Sequence, residues 1–200
     1  MRWTSVGAAV FALASTIAAP ARSDDISDKL DAARAAYAKS DSMRTLAALQ
    51  SLESALTAKL VEQFSKAMPQ PPAGWEASAP ESQPLDAVGG GLTVTRAYQK
   101  GDAALNATLI IDNPSVANTM ALLQSPSAPP PGEVGWKMVK IGSDDAMIRF
   151  DPTNHEGEIM MAIQNRAALQ IDGSEIASEQ ILTEAAQGWN LALLKKLLGL

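Results

Sequence analysis

Residues 135–172 constrain the fold of this chain more than any other segment, because short apolar runs alternate there with turn-forming residues. Each run holds 5 to 7 residues that are largely apolar or β-branched, bounded by Gly, Ser, Asn or Asp, as in an antiparallel meander. Ile159, Met161 and Ile163 fall at a spacing of two, so they share one face of their strand. The predicted strands lie at 135–141, 145–151, 157–163 and 167–172.

A hairpin and an edge strand precede this meander. The hairpin pairs a strand at 92–99, opened by three glycines, with a strand at 105–112, and residues 75–79 form the edge strand. The sequence therefore predicts an α+β fold, in which an N-terminal helical hairpin is followed by an antiparallel β-sheet of about 6–7 strands covered by short helices.

The first covering helix is predicted over 115–124. Asn113 caps it and Pro114 takes its first position, because asparagine is favoured as a helix cap and proline tolerates the first turn.

Two more helices are predicted after the meander. Ser174 or Ser178 caps the first, which reaches Ala186, and Gly188 separates it from a last apolar helix at 189–198. This last helix could lie on a membrane, but docking on the apolar sheet is the favoured interpretation, since its two lysines give little attraction to anionic lipid.

Residues 24–68 contain neither Gly nor Pro and carry apolar side chains at helical spacing. The polar residues 39–42 indicate a turn in which Ser40 or Asp41 caps a second helix; the alternative is one long helix with a polar patch. Residues 32–49 resemble one tetratricopeptide-type helical hairpin, with Ser40 where glycine is usual.

A single hairpin cannot bury its own apolar face. The hairpin, whose second helix carries an apolar stripe, should therefore pack on the C-terminal domain or on a partner, and the sequence favours the first because such stripes usually serve a core. We expect the C-terminal half of the hairpin to pack within the chain and residues 26–38 to stay more exposed as the contact surface. The stripe consists of Leu49, Leu52, Leu56, Leu60 and Phe64.

The chain opens with the pattern of a secretory signal peptide: Arg2 precedes an apolar run of 14 residues and small residues follow it. The predicted domains are a signal peptide at 1–23 cleaved after Ala21 or Ser23, a helical hairpin at 24–68, a Pro-rich linker at 69–74 and an antiparallel α+β domain at 75–200. The run is shorter than the ~20 residues that span a bilayer. We therefore expect a periplasmic or secreted protein with no stable membrane insertion after signal removal.

Charge and composition exclude several functions. The 16 basic residues are outnumbered by 22 acidic ones, which disfavours nucleic acid as a partner. The chain has one histidine, His155, and no cysteine, so zinc and redox-metal sites are disfavoured. Oxygen ligands around His155 could hold Ca²⁺, but a solvated hairpin turn is the favoured interpretation.

Signatures of catalysis are missing from the sequence. It has no Gly-x-Ser-x-Gly elbow, and its Gly89-Gly90-Gly91 run is not followed by the lysine of a phosphate loop. Asp144 and Asp145 are adjacent, so in a strand they point to opposite faces and cannot share acid–base chemistry. The sequence predicts no enzyme, and no catalytic, cofactor-binding or metal-binding residues.

Residues 71–75 read Pro-Pro-Ala-Gly-Trp, and the chain resembles a family of uncharacterised exported bacterial proteins that carry this motif. From Pro71 onward it also distantly resembles α/β/α sandwiches of the Mog1/PsbP type. This second resemblance implies a binding or assembly role rather than catalysis.

Two functional hypotheses follow. The first is an exported, soluble, non-enzymatic protein-interaction or assembly module of the bacterial envelope, whose partner is another envelope protein. The alternative is a periplasmic carrier that binds a small apolar ligand between the sheet and its helices. An apolar pocket of ~300 Å³ or more would favour the carrier.

Overall fold

A computed structural model describes residues 25–125 and 134–200. The predicted signal peptide and most of the proline-rich stretch between Ser125 and Gly135 lie outside the described residues. The chain forms two compact units, and the boundary between them falls at Ala55 and Leu56, inside the second helix and upstream of the predicted linker at 69–74.

The first unit consists of helix α1 (Asp25–Ala38) and the beginning of α2 (Ser42–Ser65). The turn between the helices confirms that the polar residues there separate two helices. Ser40 has a φ of 56°, a left-handed conformation that glycine adopts readily, and it stands where glycine is usual in the tetratricopeptide pattern. Its N–H donates to the Tyr37 carbonyl at 2.9 Å. Asp41, not Ser40, caps α2, because its Oδ1 accepts from the Arg44 N–H at 3.1 Å.

The second unit is built on one antiparallel sheet. Its strands are β1 (Glu76–Ala77), β2 (Glu81–Pro84), β3 (Leu92–Lys100), β4 (Ala103–Ile111), β5 (Lys137–Ile141), β6 (Asp144–Asp151), β7 (Glu156–Ile163) and β8 (Ala167–Ser174). They lie in the order β1-β3-β4-β8-β7-β6-β5, with β2 also paired to β3. The four strands of the predicted meander are present, and its last strand returns to pair with the second strand of the preceding hairpin.

Within the described residues three α-helices accompany the sheet, together with one 3-10 turn at Asp86–Val88. The helices are α3 (Ser115–Gln124), α4 (Glu179–Gln187) and α5 (Leu191–Leu197). Helix α3 has the predicted bounds. Pro114 already has helical dihedral angles, and the Asn113 Oδ1 accepts from the Ser115 N–H at 3.0 Å. Ser178 occupies the cap position of α4, but its side chain makes no capping hydrogen bond. Helix α5 is shorter than predicted, because Asn190 caps it by accepting from the Leu193 N–H.

The main core lies on one face of the sheet. Leu109, Leu169 and Met161 face each other across β4, β8 and β7, and each is buried. Residues from α4, α5 and the end of α2 belong to the same buried cluster, among them Leu182 and Phe64. This apolar layer contributes most of the hydrophobic stabilisation of the unit.

The end of α2 is fixed to the sheet by a buried hydrogen bond. The Tyr98 hydroxyl donates to the Pro69 carbonyl at 2.7 Å, and burial raises the pKa of this phenol to about 12. At the opposite end of the sheet, the Arg166 guanidinium pairs with Asp112 and donates to the carbonyl of Leu198 at 3.0 Å, which secures the C-terminal helix.

The other face of the sheet is covered only in part. Helix α3 lies against β6, β7 and β8, and its Val116 is buried, as are Met147 and Ala168 of the strands beneath. Beyond α3 this face turns polar, which positions the groove described below.

One strand was not predicted. Pro80 was expected to end the edge strand, but pairing with β3 resumes after it as β2. The interruption is bridged by Ser78, whose Oγ accepts from the Ala97 N–H and whose carbonyl accepts from the Arg96 Nε. An edge strand tolerates proline because only one side of it must supply hydrogen bonds.

Candidate functional site

The helical first unit exposes apolar side chains instead of burying them. Of the eleven large hydrophobic residues that are exposed in the described chain, five lie in residues 25–55. They are Leu30, Tyr37, Met43, Leu46 and Leu49. Within that range only Ala33 is buried.

This exposure corrects the expectation that the leucine stripe of α2 would serve a core. Only the end of the stripe does so: Phe64 is buried and belongs to the main core. Leu49, Leu56 and Leu60 keep 46%, 41% and 43% of their surface exposed, while Leu52 is half-buried. The physical reason is that only the last turns of α2, which belong to the second unit, pack against the buried core.

The exposed leucines of α2 form a narrow stripe. At about 100° per residue, Leu46, Leu49, Leu56 and Leu60 fall within an arc of roughly 80°. Glu53 falls inside the same arc, and it is exposed as well. Apolar side chains clustered on one face of a helix mark an interaction site more often than scattered exposed side chains do. We call these five residues the α2 stripe.

A groove of about 720 Å³ opens on the polar part of the sheet in the second unit. Its floor is one row of residues in register across four strands, in which Arg149 faces Glu158, Glu158 faces Asp172, and Asp172 faces Asn106. The wider lining consists of Ala97, Ala104, Leu105, Val134, Phe150, Asp151, Asn154, Glu156, Gly157, Gly173 and Ser174.

Electrostatics in the groove centre on a partly buried ion pair. The Arg149 Nε and Nη2 donate to the Glu158 Oε2 at 3.1 and 2.7 Å, and the guanidinium lies over the Trp136 ring at 4.6 Å. Burial raises the pKa of Glu158; the neighbouring Asp172 acts in the same direction, and the Arg149 hydrogen bond and charge oppose them. Asp172 also accepts from the Gln170 Nε2 at 3.0 Å.

The groove combines a charged row on its floor with apolar lining residues, among them Leu105, Val134 and Phe150. At its centre Arg149 and Glu158 are already paired with each other, and the lining comes from strands and adjoining turns rather than from α3 or α5. It lies on strands and turns and not between the sheet and its helices, where the carrier hypothesis puts the ligand.

The His155 loop is a hairpin turn. The Asp151 Oδ1 accepts from the Thr153 N–H at 2.8 Å and its Oδ2 accepts from the Asn154 Nδ2 at 2.8 Å. The Thr153 hydrogen bond is the main cause that lowers the pKa of Asp151. Within residues 25–125 and 134–200, no group of three or more acidic, histidine or cysteine side chains could hold a metal ion.

The adjacent carboxylates of β6 are separated as expected. Asp144 binds Lys195 of α5 through both carboxylate oxygens, at 2.8 and 2.9 Å, whereas Asp145 pairs with Lys140 of the neighbouring strand at 2.6 Å. Each aspartate thus has its own lysine, and the pair does not form a shared acid–base centre.

The glycine run and the meander methionines have structural roles. Gly89, Gly90 and Gly91 all have positive φ angles and lead into β3, and the Asn113 Nδ2 donates to the Gly90 carbonyl at 2.6 Å. The four methionines of the meander do not form one surface. Met147 and Met161 are buried, Met160 is half-buried and Met138 is exposed.

Across the two described stretches of the chain, every helix is too short or too polar to cross a membrane.

Comparison with known protein families, characterised proteins and solved structures gives no match to this chain. The resemblances to exported bacterial proteins and to Mog1/PsbP sandwiches remain predictions from the sequence.

Proposed function

We propose that this protein is a non-enzymatic interaction or assembly module of the bacterial envelope, exported in soluble form, and that its helical first unit binds another envelope protein. The observation that carries the proposal is the exposed apolar surface of α1 and α2. Leu46 and Leu49 of this unit keep 52% and 46% of their surface exposed, which forgoes about 1 kcal/mol of burial per side chain.

The pairing of the carboxylates supports a binding role over catalysis, and the start of the sequence bears on location. Asp144 and Asp145 are each committed to a separate lysine, and the carboxylate of Asp151 is committed to its own turn. The export pattern at the start of the sequence supports an envelope location, where the partner would be found.

The proposal is tested by co-purification from the periplasmic fraction of the native host. A Leu46→Glu/Leu49→Glu double variant puts two carboxylates on the exposed surface and should lose the protein that the wild type retains. Both leucines are exposed, so the melting temperature should stay within a few degrees of the wild type.

Ser51→Glu is the matched control, because Ser51 is exposed on the side of α2 opposite the stripe. This variant adds a charge to the same helix and should retain the partner. Recovery of the same proteins by the wild type and the double variant would refute an interaction through this surface.

A further inference from the structure

The α2 stripe contains one charged residue among four leucines, and its spacing is that of a heptad seam. Leu46, Glu53 and Leu60 recur every seven residues, and Leu49 and Leu56 lie three residues after the first two of them. In heptad notation the first three occupy a positions and the other two occupy d positions. All five residues lie on a single uninterrupted helix.

The position of Glu53 decides what can cover this seam. If a second copy of the chain packed in parallel register, the two Glu53 carboxylates would face each other at the centre of the interface. In an antiparallel pair, a positions meet d positions, so each carboxylate would be buried against a leucine. Both arrangements desolvate an unpaired charge, which is costly.

We propose that the occupant of the α2 stripe is an amphipathic helix of a different protein, with leucine-like residues at its own a and d positions and a lysine or arginine placed opposite Glu53. The inference rests on the proposed function and adds the chemistry of the partner. The apolar residues supply the contact area, and the Glu53 charge selects a basic partner helix and disfavours self-association.

The test uses the full mature chain and two synthetic helical peptides of three heptads. Both peptides carry leucine at a and d positions except at the central a position, which is lysine in one and glutamate in the other. Fluorescence anisotropy is measured at peptide concentrations below those at which the peptides associate with themselves.

We expect the lysine peptide to bind the wild type about 10-fold more tightly than the glutamate peptide, in line with the coupling of a close charge pair. Glu53→Lys should reverse this preference. Ser51→Lys adds the same charge on the opposite side of α2 and should leave the preference unchanged.

Self-association provides a second readout. The wild type should be monomeric in analytical ultracentrifugation, whereas Glu53→Leu completes the apolar seam and should form dimers. Equal binding of the two peptides, binding of neither, or a wild type that dimerises through the stripe would each overturn the inference. Equal peptide binding together with loss of the native partner in the Leu46→Glu/Leu49→Glu variant would remove the charge selection and leave the proposed function standing.

Discussion

Replacing Phe64 with alanine tests how the end of α2 is held in the second unit. Phe64 is 3% exposed and belongs to the same buried cluster as Leu182 of α4. Leu60 lies one turn earlier on the same helix, but 43% of its surface is exposed. The two positions therefore differ in burial within a single helical element.

The expected losses of stability differ accordingly. Truncation of a buried phenylalanine removes its transfer free energy and leaves a cavity, so Phe64→Ala should lower the free energy of unfolding by about 3–5 kcal/mol. Leu60→Ala removes a side chain that is only partly buried and leaves no enclosed cavity, so it should cost about 1 kcal/mol or less.

Urea denaturation of the mature chain measures both losses. Tryptophan fluorescence reports on the second unit, because Trp75, Trp136 and Trp189 all lie in it. A loss below about 1 kcal/mol for Phe64→Ala, or equal losses for Phe64→Ala and Leu60→Ala, would refute the packing of the α2 end in the core.

Three further outcomes are expected. The pKa of Glu158 measured by carboxyl NMR should lie above that of an ordinary glutamate, because burial penalises its charged form, and a lowered pKa would contradict the burial. Its contribution to stability should be complete at acidic pH and decline as the pH rises through the folded pKa. Gly91→Ala should destabilise far more than Gly90→Ala in urea, because both have positive φ but only at Gly91 would the added Cβ meet a backbone oxygen, at 2.3 Å; equal midpoints would contradict this. N-terminal sequencing of the exported protein should begin after Ala21 or Ser23, and an intact leader would remove the envelope assignment.

Local sequence patterns predicted the elements of the second unit well. The alternation of apolar residues in the meander gave its four strands, and Asn113 with Pro114 gave the start of α3 at the correct residue. These features depend on neighbours along the chain, since strand faces repeat every two residues and helix caps bind N–H groups two or three positions away. The second strand of the β1–β2 edge was missed, because Pro80 reads as a strand end unless the strand lies at an edge.

The groove could not be predicted, because it depends on register between strands. Arg149, Glu158, Asp172 and Asn106 are spread over more than sixty residues of sequence, and only the pairing of β4, β8, β7 and β6 places them in one row. A shift of one residue in any pair would turn a side chain to the other face of the sheet.

The sequence by itself determined most of the helices and strands, because hydrophobic period and capping residues act over a few positions. It also determined that α2 carries apolar side chains at helical spacing. Only the tertiary structure decided which of these side chains are covered: Phe64 reaches the core, whereas Leu49 and Leu56 do not. Burial depends on where the other elements lie in space, and a helical period gives the direction of a side chain without saying what it meets.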